Sequence, residues 1–148
     1  RFAMGACEYG GDKGIFGFGT TGSNVSTTNL VSNAGVVATD TAGVGTARRA
    51  LAACEYGDDK GIFGFGNPGS VTAVTNLVSN AGVVASDVSG VGTVRQGLAA
   101  CEYGGDKALF GYGSGLSTTN LVSNTGVVAT DTAGVGTARA SLAACSFN

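Results

Sequence analysis

Histidine and tryptophan are both absent from the 148 residues, and proline and methionine occur once each. Without histidine there is no Cys–His nucleophile pair, and general-base chemistry near neutral pH would fall to a carboxylate or lysine with an unusually shifted pKa. Charge is scarce as well. Asp, Glu, Lys and Arg make up 12% of the chain, about half of the roughly 25% found in globular domains. The net charge of −2 is spread evenly, so no basic stripe exists to follow a phosphate backbone, and nucleic-acid binding has no support. No apolar run reaches the length of about 18 residues that a transmembrane helix needs. The segment Arg1 to Cys7 lacks the parts of a signal peptide. A start at Arg1 without an initiator Met leads to the expectation that further chain precedes it. Disorder is not expected either, because it needs low hydrophobicity and high net charge, whereas 43% of these residues are hydrophobic.

What is present is periodicity. Cys7-Glu8-Tyr9-Gly10-Gly11-Asp12-Lys13-Gly14-Ile15-Phe16-Gly17-Phe18-Gly19 returns from Cys54 to Gly66 and again from Cys101 to Gly113. The second half of the unit is as regular: Thr28 to Asn33, Thr75 to Asn80 and Thr119 to Asn124, each followed by a Gly-Val-Val run. Repeat 1 covers about residues 1–47, repeat 2 about 48–94 and repeat 3 about 95–138, and a further partial copy occupies 139–148. A fixed period of this size means a stacked or radial array of one supersecondary unit, each burying its apolar face against its neighbours.

The unit reads as strands and turns. In repeat 2, Arg49 to Cys54 is a short apolar run ending at the Gly57-Asp58-Asp59 turn, and Lys60 to Gly66 is an aromatic strand thinned by glycine. Val74 to Ser79 and Val83 to Ser86 supply a third and a fourth strand, with Asn80-Ala81-Gly82 between them. Four short strands per unit, separated by Gly, Asn and Asp, are an all-β signature, and no segment carries a helix-length 3.6 pattern. Glycine inside a strand weakens it unless another backbone or side chain must come close. Gly64 and its counterpart Gly111 are therefore expected to sit in crowded surroundings.

Thr46-Ala47-Arg48 before Leu51-Ala52-Ala53, then a turn, then Ile62-Phe63-Gly64-Phe65-Gly66, then the Thr75 to Ser79 strand, resembles a kelch-type β-propeller blade. Arg1, Arg48, Arg95 and Arg139 each stand six residues before a cysteine and hold the position of the arginine that leads the blade's first strand. The resemblance covers essentially the whole chain. Kelch blades usually carry a double glycine after the second strand and a tryptophan in the fourth; here there is Gly-Phe-Gly or Gly-Tyr-Gly, and no Trp. The resemblance implies three four-stranded blades plus an extra strand, 139–148, belonging to a larger propeller or an open repeat assembly. It does not choose a function, since kelch-like propellers serve as binding scaffolds, sugar-active enzymes and adhesive modules. Four copies of the Arg-to-Cys strand stand against three of every other strand. The extra strand either continues a longer array, completes a blade in a neighbouring molecule, or belongs to an open stack.

Cys7, Cys54, Cys101 and Cys145 share one phase of the repeat, at spacings that match no zinc pattern. They read as small buried thiols or as disulfides between neighbouring repeats, and both readings stand at this level. The G-x-G-x-x-G runs Gly17 to Gly22 and Gly64 to Gly69 lead into strand residues rather than a helix, so they are strand-ending turns and no cofactor is expected. Glu8, Glu55 and Glu102, with Asp12, Asp59 and Asp106, recur in equivalent copies, as structural residues do; catalysis wants two carboxyls in different environments. No enzymatic activity is expected. Asn24-Val25-Ser26 is the one glycosylation sequon, and Tyr9, Tyr56 and Tyr103 are either packed aromatics or platforms for sugar rings. The expected function is that of a structural or adhesive extracellular repeat protein (a filament, surface-layer or phage-appendage component at a virion or cell surface) acting by self-association or through further repeats of the same parent chain. The alternative is a kelch-like binding module recognising carbohydrate or protein through its inter-strand loops. Only segments 20–27, 67–74 and 114–118 vary much between repeats, which favours assembly over recognition.

Overall fold

The computed structural model describes residues 1–146, and these contain nine β-strands and no helix. Each repeat folds as one antiparallel three-stranded sheet in sequential order. Repeat 1 contributes β1 (Gly5–Tyr9), β2 (Lys13–Gly17) and β3 (Thr28–Val31). Repeat 2 contributes β4 (Ala52–Tyr56), β5 (Lys60–Gly64) and β6 (Thr75–Val78). Repeat 3 contributes β7 (Ala99–Tyr103), β8 (Lys107–Gly113) and β9 (Leu116–Val122). The register is the same in all three: Cys7 opposes Ile15, Cys54 opposes Ile62 and Cys101 opposes Leu109. The tight β4–β5 turn holds Gly57 and Asp58 at φ of 62° and 68°, a left-handed backbone that glycine and aspartate tolerate best.

The sheets lie face to face, with β1 packed on β4 and β4 on β7. Because side chains alternate across a strand, each sheet has two different faces. The face of sheet 1 turned to repeat 2 carries Gly5, Cys7, Ile15 and Gly17, and the opposing face of sheet 2 carries Phe63 and Gly61. Phe63 is fully buried over the two glycines; a Cβ on Gly17 would stand 2.7 Å from its ring. Phe110 covers Gly64 in the same way, with a Cβ placed there 2.5 Å from the ring. Two apolar cores fill the two junctions: one gathers Tyr9, Ile15, Phe18, Leu51 and Phe63, and the other Tyr56, Ile62, Phe65, Leu98 and Phe110.

The expected fourth strand does not form a ladder. Residues 83–88 make two single bridges to β6, Val84 to Val78 and Val88 to Thr75. The outer segment uses four residue steps where β6 uses three, so one residue is extruded. The Asn76 side chain fills the gap, donating to the Ala85 carbonyl at 3.0 Å and to Asp87 Oδ1 at 2.9 Å, and so replaces the backbone bond a strand would have made. Repeats 1 and 3 carry the same pair of bridges.

Nor do the described residues of the extra strand, 139–146, form a strand; its last two positions lie outside the described residues. Arg139 makes a single bridge to Leu116, and residues 140–146 form no ladder. At the other end, Gly5–Tyr9 pairs within its own repeat. Glycine crowding is likewise uneven. Gly64 is crowded as expected, but a Cβ on Gly111 would meet only Leu109 and Thr119 at 3.4 Å, because no following repeat lays a phenylalanine on it.

Gly64→Val should therefore lower stability by about 1–3 kcal/mol through overpacking, while Gly111→Val should cost less, because no ring stands over it. Thermal unfolding of the two variants beside the parent measures both values. Equal losses at the two positions would refute the ring-over-glycine account.

Candidate functional site

The molecule's largest fully buried side chains are not gathered round one pocket. Arg48, Arg95, Phe18, Phe63, Phe65 and Phe110 all lie at the joints between repeats. The joint begins with a strained residue. Phe18, Phe65 and Tyr112 hold φ of 62°, 63° and 63°, a conformation that costs an aromatic residue about 1–3 kcal/mol. The strain turns the ring of Phe18 into the junction, where it tilts against Phe63 with centroids 5.1 Å apart. Phe65 meets Phe110 in the same geometry.

An arginine lies over that ring as well. The Arg48 guanidinium stands 4.2 Å above Phe18, and Arg95 stands 4.3 Å above Phe65. The cation is anchored by backbone carbonyls: Arg48 Nε donates to the Phe65 carbonyl of its own repeat at 2.8 Å and Nη1 to the Thr46 carbonyl at the end of repeat 1 at 3.1 Å. Arg95 repeats this with the carbonyls of Tyr112 and Thr93 at 2.8 and 3.0 Å. Burial lowers the Arg48 pKa to about 10, and the Asp87 charge works against that shift. The side chain therefore stays cationic at neutral pH. Each arginine thus couples a ring in one repeat to the carbonyl of the equivalent aromatic residue in the next, Phe65 or Tyr112.

A second tie crosses the same junction. Asp87 accepts from the Thr46 backbone N–H at 3.1 Å and from its hydroxyl at 2.6 Å. Asp131 does the same with Thr93, its backbone N–H also at 3.1 Å. Burial pushes the Asp87 carboxyl up, but the bonds from Thr46 and Asn76 and the charge of Arg48 hold it below the ordinary value. The variable loops join in as well: Asn24 Nδ2 donates to the Asn67 carbonyl, and Asn67 Nδ2 to Gln96 Oε1.

Each residue singled out in the sequence has a definite place. Asn24 is half-buried, and its amide nitrogen, the atom a glycan would take, is engaged with Asn67. The four cysteines are free thiols: Cys54 is buried, Cys7 and Cys101 half-buried and Cys145 exposed. Burial raises the Cys7 thiol to about 12 and that of Cys54 well above its ordinary value, so neither is a thiolate near neutral pH. Tyr9 and Tyr56 are buried at the joints, leaving no ring face for a sugar, whereas Tyr103 is partly exposed. Asp12, Asp59 and Asp106 clip the hairpin turns: each accepts from the lysine beside it and from Asn33, Asn80 or Asn124.

The glutamates do come together. Glu8, Glu55 and Glu102 stand one above another on the first strands, along a cleft of about 440 Å³ that also touches Cys54 and Cys101 and ends at Ala144 and Cys145. Burial, a hydrogen bond to Glu8 and the charges of Glu8, Glu102 and Asp58 raise the middle carboxyl, Glu55, to about 7. The period of the repeat announced equivalent glutamates, but not that they would stand within reach of each other.

No protein-family model matches the chain, and no curated protein matches it. Among solved structures, a protein of unknown function from Bacteroides caccae aligns with 90% of this chain at 12% identity and a TM-score of 0.47. This chain spans 46% of that one, less than half its length.

Two outcomes are expected of this site. Arg48→Met should destabilise the fold by about 1–3 kcal/mol, because the Phe65 and Thr46 carbonyls lose their donor inside the joint. Exposed Arg49→Ala should cost no more than about 0.5 kcal/mol. Urea unfolding compares them. Glu55 has a folded pKa of about 7 against an ordinary value of 4.5, so folding takes up a proton between those values. Its contribution to stability is complete below pH 4.5 and is lost as pH rises through 7. Glu55→Gln should flatten that decline in a series of unfolding curves from pH 4 to 8; an unchanged slope would mean that Glu55 is ionised in the fold.

Proposed function

We propose that this chain is a structural or adhesive repeat protein, of the kind that forms filaments, surface layers or phage appendages, and that it works at a virion or cell surface. Its function on this reading is the continuity of the array rather than chemistry at a pocket. The observation that carries it is the placement of the deepest side chains: the same Arg–aromatic–Phe sandwich is built twice, and it joins repeats instead of lining a cleft. The polar side chains of the variable loops point the same way, because Asn24 and Asn67 are spent on the neighbouring repeat and do not face outward to a ligand. A propeller with more blades, or an open stack, would both use this joint. The kelch-like resemblance is compatible with either.

Sedimentation equilibrium of the purified chain from micromolar concentration upward, run beside a glycan-array screen, tests the reading. The expected result is a mass that climbs above the monomer with concentration, with no saturable glycan binding. A monodisperse monomer that binds a glycan saturably, and loses it when loop 20–27 is replaced by loop 67–74, would establish the binding module instead.

A further inference from the structure

The geometry points to one partner for both outer faces of the array: a second copy of this chain, docked head to tail, so that the last face of one molecule receives the first face of the next. The inference rests on the structural reading above and specifies its contact. The two faces are the two halves of the internal joint, each left open where the other is complete.

On the first face, Phe16 is the counterpart of the buried Phe63 and Phe110, yet it is 38% exposed. Nothing lies within 4 Å of a Cβ placed on Gly35, whereas Gly82 is covered by Tyr9 and Leu30 and Gly126 by Tyr56 and Leu77. Asp40 is bonded by Asn29, as Asp87 is by Asn76, but the Gly-Thr turn that caps Asp87 from the preceding repeat has no equivalent there. The last face offers what the first lacks. Gly111 carries no ring: a Cβ there meets only Leu109 and Thr119 at 3.4 Å, where Phe63 and Phe110 cover its counterparts Gly17 and Gly64. Leu121, counterpart of Leu30 and Leu77, is 39% exposed and stands ready to cover a Gly35. Gly136 and Thr137 follow the pattern of Gly45 and Thr46, whose turn caps an aspartate. Two different surfaces that fit each other make a heterologous interface, which propagates into a filament or closes into a ring.

One element already stands in the seat. Gly113 N donates to the Arg139 carbonyl at 3.0 Å and Ser141 N to the Gly97 carbonyl at 2.7 Å. These reproduce the bonds from Gly19 to Arg48 and from Ala50 to Ala3 at the internal joint, both 2.8 Å. Arg139 even lies 4.5 Å over the Tyr112 ring, as Arg48 lies over Phe18. Residues 139–146 thus occupy the place that Arg1 to Glu8 of an incoming copy would take. Docking exchanges one Arg-to-Cys segment for another, and the resident segment restrains assembly.

The test compares the full chain with a chain ending at Ala138 by sedimentation velocity. The shortened chain keeps its fold, since the buried core runs no further than Val122; Ser141→Pro in the full chain releases the segment by a second route, because proline cannot adopt the φ of 56° found there. Both should assemble at lower concentration than the parent. In the released background Phe16→Glu and Gly111→Phe should each abolish growth, and an equimolar mixture of the two should give one-to-one dimers and nothing larger, because each retains one working face. Circular dichroism verifies that each variant is folded, with Phe16→Ser and Gly111→Leu as a second pair. Oligomers insensitive to these substitutions, or variants that fail to complement each other, would overturn this seat and leave the structural role standing. Monomers throughout, in the parent and in both released forms, would overturn both.

Discussion

A phenylalanine ring whose tip is pressed onto a strand needs a floor without a Cβ, and the rest of this molecule is arranged around that requirement. Phe63 lies on Gly5 and Gly17, and Phe110 lies on Gly64. The glycines weaken the strands that hold them, through lost packing and backbone entropy. That loss is recovered only when a neighbouring repeat puts an aromatic ring there, so an isolated unit of this sequence would have an unfilled face and little core. Each repeat stabilises its neighbour more than itself, which is the one-dimensional behaviour of repeat proteins.

The buried arginines belong to the same arrangement. A guanidinium removed from water is costly unless its charge and its donors are all matched. Arg48 is matched three ways: the face of Phe18 below, the carbonyls of Phe65 and Thr46 around it, and the Asp87 charge near by. Phe18 presents that face with its backbone held in the left-handed region, and the packing of Phe63 and Arg48 against the ring sustains the strain. The ring, the cation and the strained backbone are therefore one device, in which removal of any part leaves the others uncompensated.

Stacking identical units has an electrostatic consequence too. Whatever charge one repeat places on its first strand, the next places beside it. The Glu8, Glu55 and Glu102 column is the result, and its middle carboxyl takes a proton at a pH where an ordinary glutamate would be ionised. Asp12, Asp59, Asp87, Asp106 and Asp131 avoid this, because each is matched by a lysine, an asparagine or a threonine at the same phase of the repeat.

The repeat period, the all-β character and the positions of the turns were legible in the sequence, because each depends on residues close together in the chain: glycine and aspartate at tight turns, and alternation along strands. The crowding at Gly64 was legible for the same reason, as the recurrence of glycine beside phenylalanine asks for a close neighbour. What lay beyond it depended on contacts between repeats. The extruded residue opposite Asn76, which reduces the fourth strand to two bridges, arises from a side chain competing with the backbone for the Ala85 carbonyl. The lack of a ring over Gly111, the burial of Arg48 and the glutamate column likewise follow from which face meets which. Periodicity in one dimension states that neighbours are equivalent; only the three-dimensional packing decides which atoms of those neighbours touch.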